Sequence, residues 1–97
     1  MSNFFEQYKA LSDFIRAAAP CFDAGDATYH HIMDLTALHE GFLTATQALL
    51  PDERLLGTAK MRMAVFAMAL NEAAAAHPSR AARMILAHAG YMADRMS

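Results

Sequence analysis

Alanine is the residue that most constrains the fold of this chain, because it occupies 22 of the 97 positions. Alanine loses no side-chain entropy in a helix, whereas glycine and proline, the main helix breakers, occur only four and three times. The β-branched residues that favour strands are also scarce, with one valine and three isoleucines. The composition therefore predicts an all-α protein.

The spacing of apolar residues predicts four helices. In four segments, apolar residues recur at intervals of three and four, which places them on one face of a helix. Pro20, Pro51 and Pro78 stand at the junctions between these segments. We predict helices at about residues 3–19, 27–50, 51–76 and 80–95. A chain of this length forms one domain, so residues 1–97 are expected to form a single antiparallel four-helix bundle built on a long helical hairpin.

Polar residues that cap helices precede three of these segments. Asn3, Asp26 and Ser79 can each accept a hydrogen bond from the first turn that follows. Before the third segment, Pro51 suits the first helical position, and the two acids after it complement the helix dipole. We therefore expect the third helix to begin at Pro51.

The second predicted helix has one apolar stripe and an interior glycine. The stripe consists of His31, Leu35, Leu38, Phe42, Ala45 and Leu49, widened by Ile32, His39 and Thr46. Gly41 lies inside this helix, where glycine costs about 1 kcal/mol relative to alanine. We expect a neighbouring helix to approach closely at Gly41.

The third predicted helix is apolar on two sides. Its main stripe consists of Leu56, Ala59, Met63, Phe66, Leu70, Ala73 and His77. Met61, Val65 and Met68 form a second stripe, and six of the eight methionines lie in this half of the chain. Methionine fills irregular gaps in cores, and it is also frequent on surfaces that adapt to a partner. The second stripe is therefore either core or an interface.

Charge is divided unevenly along the chain, although the net charge is only −2. Residues 1–53 contain eight acids and two bases, whereas residues 54–97 contain six bases and two acids. The two halves attract each other within one bundle, or they present surfaces of opposite sign to different partners.

Two arginines in the first turn of the predicted fourth helix call for a nearby negative group. Positive charge there opposes the helix dipole, so Arg80 and Arg83 require a compensating negative group. That group is a phosphate at the helix terminus or an acid from the first half of the chain. Nucleic-acid binding is only a weak alternative function, because the fourth helix offers mostly alanines to bases and the third helix is too long for a helix-turn-helix motif.

Histidines provide the alternative of a metal- or small-ligand-binding bundle. His30 and Asp34 are four residues apart, which is the spacing of half a zinc site, and His39 lies on the adjoining face. The sequence contains no HExxH or CxxC motif and no glycine-rich phosphate loop. We therefore predict no catalytic residue, no metal ligand and no cofactor, and the protein is not expected to be an enzyme.

The remaining features point to the cytoplasm. The single cysteine, Cys21, cannot form an internal disulfide, which fits a reducing compartment. The first six residues contain Glu6 and no basic stretch, unlike a signal peptide. The most apolar run, residues 63–70, is far shorter than a membrane span.

These observations favour a non-enzymatic regulatory or inhibitory protein of a bacterium or phage. It would act in stoichiometric amounts by binding another protein through an apolar helical surface, and the simplest partner is a second copy in a homodimer. The residues predicted to contact the partner are Met61, Val65, Met68, Arg80 and Arg83.

Overall fold

The computed structural model describes residues 3–97, which form a helical bundle without strands. The helices are α1 (Phe4–Ala17), α2 (Ala27–Thr46), α3 (Glu53–Ala76) and α4 (Arg80–Met96). Short 3₁₀ helices follow α1 at Ala19–Cys21 and α2 at Gln47–Leu49. The predicted all-α four-helix bundle is confirmed. The second helix ends earlier than predicted, because its last residues adopt the 3₁₀ conformation.

Each of these helices begins after a side chain that accepts a hydrogen bond from the first turn. The capping residues are Asn3, Asp26, Asp52 and Ser79. Such bonds satisfy backbone N–H groups that no carbonyl of the helix can reach. The prediction that α3 begins at Pro51 is wrong. The Leu50–Pro51 bond is cis, and Asp52 caps a helix that starts at Glu53.

The apolar stripes predicted for α1, α3 and α4 largely face the core. Tyr8, Leu11 and Ile15 of α1 are buried in the same core cluster as Met63, Phe66 and Leu70 of α3, which are almost completely shielded from solvent. From α4, the buried residues are Ala82, Leu86, Ala89, Gly90, Ala93 and Met96. Apolar spacing alone therefore identifies the inner faces of these three helices.

The inner face predicted for α2 is confirmed only in part: Ile32 and His39 are buried, and Leu35 and Phe42 pack against the core, but other predicted positions are exposed. Its buried residues are Tyr29, Ile32, Thr36, His39 and Leu43. The predicted stripe is displaced around the helix, so that His31, Ala45 and Leu49 are exposed and Leu38 is 60% exposed. Thr36 is tolerated in the core because its hydroxyl donates to the Ile32 carbonyl over 2.8 Å, which satisfies the buried polar atom.

The close helix approach expected at Gly41 occurs instead at Gly90. Gly41 is exposed, and a side chain added there would meet no atom within 4 Å. At Gly90, an added Cβ would collide with the Asn71 side chain and lie 3.5 Å from the Leu70 Cβ. Gly90 therefore lies where α4 packs directly against α3, which is the most extensive helix contact among residues 3–97.

Candidate partner-binding surface

The second apolar stripe of α3 is exposed to solvent. Met61 is 70% exposed, and Val65 and Met68 are each 62% exposed. They lie opposite the buried stripe on Met63, Phe66 and Leu70, so they do not belong to the core of a single chain. The structure thus brings together three of the five residues predicted to contact a partner.

These three residues form the middle of a longer exposed row. The row alternates intervals of four and three residues, which keeps it on one side of the helix. We call it the outer seam of α3, and it consists of Arg54, Thr58, Met61, Val65, Met68, Glu72 and Ala75. All seven residues are exposed. The outer seam therefore has an apolar centre, a basic residue at one end and an acidic residue near the other.

Large exposed apolar residues elsewhere are more dispersed. On α4, Met84 is 65% and Tyr91 is 58% exposed, with two helical turns between them. On α2, Leu38 is surrounded along its outer face by smaller or polar residues. Single exposed apolar residues are normal on protein surfaces, whereas adjacent ones indicate an interaction site. The outer seam is therefore the strongest candidate for a binding surface.

Arg80 and Arg83 are not equivalent. Arg83 is half-buried, and its Nη1 donates to the carbonyls of His77 and Pro78 over 2.9 and 3.1 Å. Its charge therefore satisfies carbonyls at the C-terminus of α3, where positive charge is favourable. Arg80 is exposed. Within residues 3–97 neither arginine forms an ion pair with an acid of the first half.

Asp26 and His77 connect three helix termini. The Oδ1 of Asp26 accepts from the Tyr29 N–H at the start of α2, and its Oδ2 lies 2.6 Å from the Nε2 of His77. The Nδ1 of His77 accepts from the Ser79 N–H over 3.0 Å, so the ring proton lies on Nε2 and is donated to Asp26. This bond from His77 holds the pKa of Asp26 below its usual value.

A second polar cluster joins α1 to α2. Glu40 accepts from the Ser12 hydroxyl over 2.6 Å and from the Nη1 of Arg16 over 2.7 Å. The same Arg16 atom also donates to the Ser12 oxygen. The bonds from Ser12 and then Arg16 lower the pKa of Glu40. The cluster closes on itself, so it holds the two helices together and offers little to an external ligand.

The residues of the alternative metal or ligand site, His30, Asp34 and His39, lie in different surroundings. The Nε2 of His30 donates to the Ala24 carbonyl over 2.7 Å, and Asp34 is exposed. His39 is buried beside Phe66, and within residues 3–97 its Nδ1 has no hydrogen-bond partner. Burial, and then the charge of Arg62, lowers the pKa of His39. In the part of the chain that the structure describes, no three His, Cys, Asp or Glu side chains are placed to share a metal ion.

A cleft of about 610 Å³ lies at the end of the bundle where α1 begins and α4 ends. Its apolar wall consists of Phe4, Phe5, Leu50, Pro51, Leu56 and Met96. Lys60 and Arg95 are among its polar lining residues. Sequence reasoning missed this cleft, because residues from α1, α3, α4 and the segment between α2 and α3 form it, and no local pattern connects them.

Comparison with known proteins adds no family assignment: no family model matches the chain, and no curated protein or solved structure is significantly similar. Among residues 3–97, no helix combines the length and apolar character needed to cross a membrane.

Proposed function

We propose that this protein is a non-enzymatic regulator or inhibitor that binds another protein through the outer seam of α3. It would act in stoichiometric amounts in the cytoplasm of a bacterium or of a phage-infected cell. The observation that supports the proposal is the exposure of Met61, Val65 and Met68 on one helical face. A second copy of the chain is the simplest occupant of this face.

The energetic argument concerns the apolar area that the outer seam leaves in water. Complete burial of a methionine or valine side chain contributes about 1.5–3 kcal/mol. Burial of three adjacent side chains therefore favours association, even after part of the gain is lost to ordering the partners. The centre of the seam supplies no nucleophile or titratable group, which fits binding better than catalysis.

The test compares the double variant Met61→Glu/Met68→Glu with Met84→Glu. Met84 is a matched control because it is the same residue type at similar exposure, 65%, on another helix. Each tagged protein is used to capture partners from the native host, and captured proteins are quantified by mass spectrometry. We expect the double variant to lose a protein that the wild type and Met84→Glu both retain.

The unfolding midpoint of each variant shows whether the fold is intact. All three substituted residues are exposed, so the midpoints should remain close to that of the wild type. If the folded double variant still captures every protein that the wild type captures, and the wild type does not self-associate, the outer seam is not a binding surface.

The cleft supports a second candidate function, the binding of a small amphipathic anion. Its volume lies in the usual range for ligand sites, and an apolar wall with a few polar groups is typical of them. Lys60 and Arg95 supply positive charge for a carboxylate. We expect decanoate to raise the unfolding midpoint of the wild type more than that of Lys60→Ala/Arg95→Ala. Lys9→Ala is the control, because Lys9 is a cation that does not line the cleft. If decanoate raises the unfolding midpoints of Lys9→Ala and the double variant equally, this function is contradicted.

A further inference from the structure

We propose that the outer seam of α3 pairs with the same seam of a second copy, in antiparallel orientation about a two-fold axis near Val65. This inference rests on the proposed function, since it takes the seam to be a protein-binding surface and names its occupant. Three properties of the seam support it: its period, its order of charges and its symmetry about Val65.

The period of the seam is that of a two-helix interface. Its seven residues alternate intervals of four and three, which is the heptad spacing that keeps two supercoiled helices in contact. From Arg54 to Ala75 the row extends roughly 30 Å at 1.5 Å per residue. The side chains of α3's neighbours do not cover it, because every position of the row is exposed.

The order of charges selects the orientation. In a parallel pair, Arg54 would face Arg54 and Glu72 would face Glu72, and both contacts are repulsive. In an antiparallel pair, the Arg54 end of each helix lies beside the Glu72 end of the other. With Val65 at the axis, Glu72 lies opposite Thr58 of the partner subunit and one helical turn, about 6 Å along the helix, from the partner's Arg54, which two long side chains can span. Opposite charges are therefore neighbours on both sides of the axis, and the dipoles of the two helices also oppose each other. The charges therefore favour the antiparallel pair.

The symmetry of the apolar centre fits the same arrangement. With the axis near Val65, each Met61 lies opposite Met68 of the partner subunit, and Val65 lies opposite itself. The smallest of the three side chains is then at the axis, with a flexible methionine pair on either side. A two-fold interface needs such a self-complementary patch: if one residue contacts a second residue of the partner, the second residue also contacts the first residue of the partner.

Single cysteines test the orientation directly. Cys21 is exposed, so the experiment uses a Cys21→Ser background. Val65→Cys, Met61→Cys and Met68→Cys are oxidised separately, and the Met61→Cys and Met68→Cys proteins are also oxidised as a mixture. Disulfides need Cα atoms about 4.4–6.8 Å apart. We expect a dimer from Val65→Cys alone, and a heterodimer from the mixture that exceeds the homodimer of either component.

Two results would overturn the proposal. Efficient homodimer formation by Met61→Cys and by Met68→Cys would show a parallel pair, and absence of a disulfide dimer from every sample would show that the seams do not meet. Exposed cysteines also form disulfides through random collisions. Met84→Cys, which is exposed but lies outside the seam, measures this background.

Charge reversal gives an independent test by sedimentation equilibrium. The two-fold axis places an Arg54 one helical turn from a Glu72 at two places in the dimer, so Arg54→Glu or Glu72→Arg should weaken dimerisation about tenfold. The double reversal should restore most of the wild-type affinity. Equal weakening by the double variant would contradict the pairing of these two residues.

The proposed function and this inference can fail separately. If the wild type is monomeric at high micromolar concentration, yet captures a host protein that Met61→Glu/Met68→Glu does not, the homotypic pair is wrong and the binding surface is retained. If the double variant also leaves capture and self-association unchanged, both are wrong.

Discussion

The contact between α1 and α2 and the contact between α3 and α4 are built in different ways. From α1, the Tyr8 hydroxyl donates to the Thr36 carbonyl over 2.8 Å, and Ser12 and Arg16 bind Glu40. From α4, the buried residues are mostly small, with Gly90 directly against α3. Directional bonds determine the register of the first pair, whereas side-chain size determines the separation of the second.

We expect the largest effect from enlarging Gly90. Gly90→Leu adds an isobutyl group where a Cβ alone already contacts the Leu70 Cβ at 3.5 Å, so the rest of the side chain has no room and the two helices must separate. Overpacking of this kind costs about 1–3 kcal/mol, and we expect the upper end of that range in urea unfolding. Gly90→Ala is the control, because the atom that its Cβ meets is the end of the exposed Asn71 side chain, which can rotate. If Gly90→Leu is as stable as the wild type, the close approach of α3 and α4 is wrong.

The next effect concerns the polar cluster between α1 and α2. Glu40→Gln removes the charge that accepts from Ser12 and Arg16, and we expect a loss of about 1 kcal/mol at neutral pH, because both ends of the ion pair are partly exposed. Asp34→Asn, an exposed acid on the same helix, is the control.

The pH dependence of the Glu40→Gln effect follows from the lowered pKa of Glu40. The contribution of Glu40 to stability is complete at pH values above the pKa of the unfolded state, near 4.5. It is lost as the pH falls through the lower pKa of the folded state. The difference in unfolding free energy between wild type and Glu40→Gln should therefore shrink below about pH 4.5. A difference that is constant from neutral to acidic pH would show that Glu40 stabilises the protein by packing alone.

A smaller effect, of opposite sign, is expected at Gly41. Gly41→Ala places a methyl group in open space on the outer face of α2, where alanine costs less backbone entropy. We expect stabilisation of roughly 0.5–1 kcal/mol, measured by thermal and urea unfolding. Destabilisation would indicate that this face is covered in solution, and Gly41 would then mark a second interface.

The smallest effect near neutral pH is expected from His39. Because burial lowers its pKa, the unfolded chain binds a proton at this ring more readily than the folded protein does. The free energy of unfolding is therefore not reduced by His39 at pH values above the pKa of the unfolded chain, near 6.5. It declines as the pH falls below that pKa. His39→Phe, which keeps a ring against Phe66, should reduce this decline. If wild type and His39→Phe lose stability identically as the pH falls, His39 is not the source of the decline.

The sequence predicts the helices and three of the four inner faces because these depend on local spacing. In α1, α3 and α4 the buried positions are apolar except Ser12 and Gly90, so the period of apolar residues identifies most of them. In α2 the inner face includes Thr36 and His39, while Leu38 points to solvent. The bond from Tyr8 to the Thr36 carbonyl joins residues 28 positions apart, and apolar spacing does not reveal such a bond.

The candidate surface was predicted in part. A second apolar stripe on Met61, Val65 and Met68 is visible in the sequence, but its exposure depends on where the other helices pack. The close approach predicted at Gly41 is wrong for the same reason, since a glycine in a sequence does not show whether a neighbouring helix approaches it. Arg83 finds its carbonyl partners only after the turn between α3 and α4 has formed.

The two ends of the bundle should differ in how readily their backbones open. At one end, Asp26, His77, Ser79 and Arg83 link the start of α2 to the end of α3 and the start of α4. At the other, helix termini surround a cleft. Amide hydrogens exchange through local opening, which is easier where fewer bonds must break together. Exchange with deuterium should therefore spread from the cleft end, and the amides nearest the Asp26–His77 bond should be among the last to be replaced.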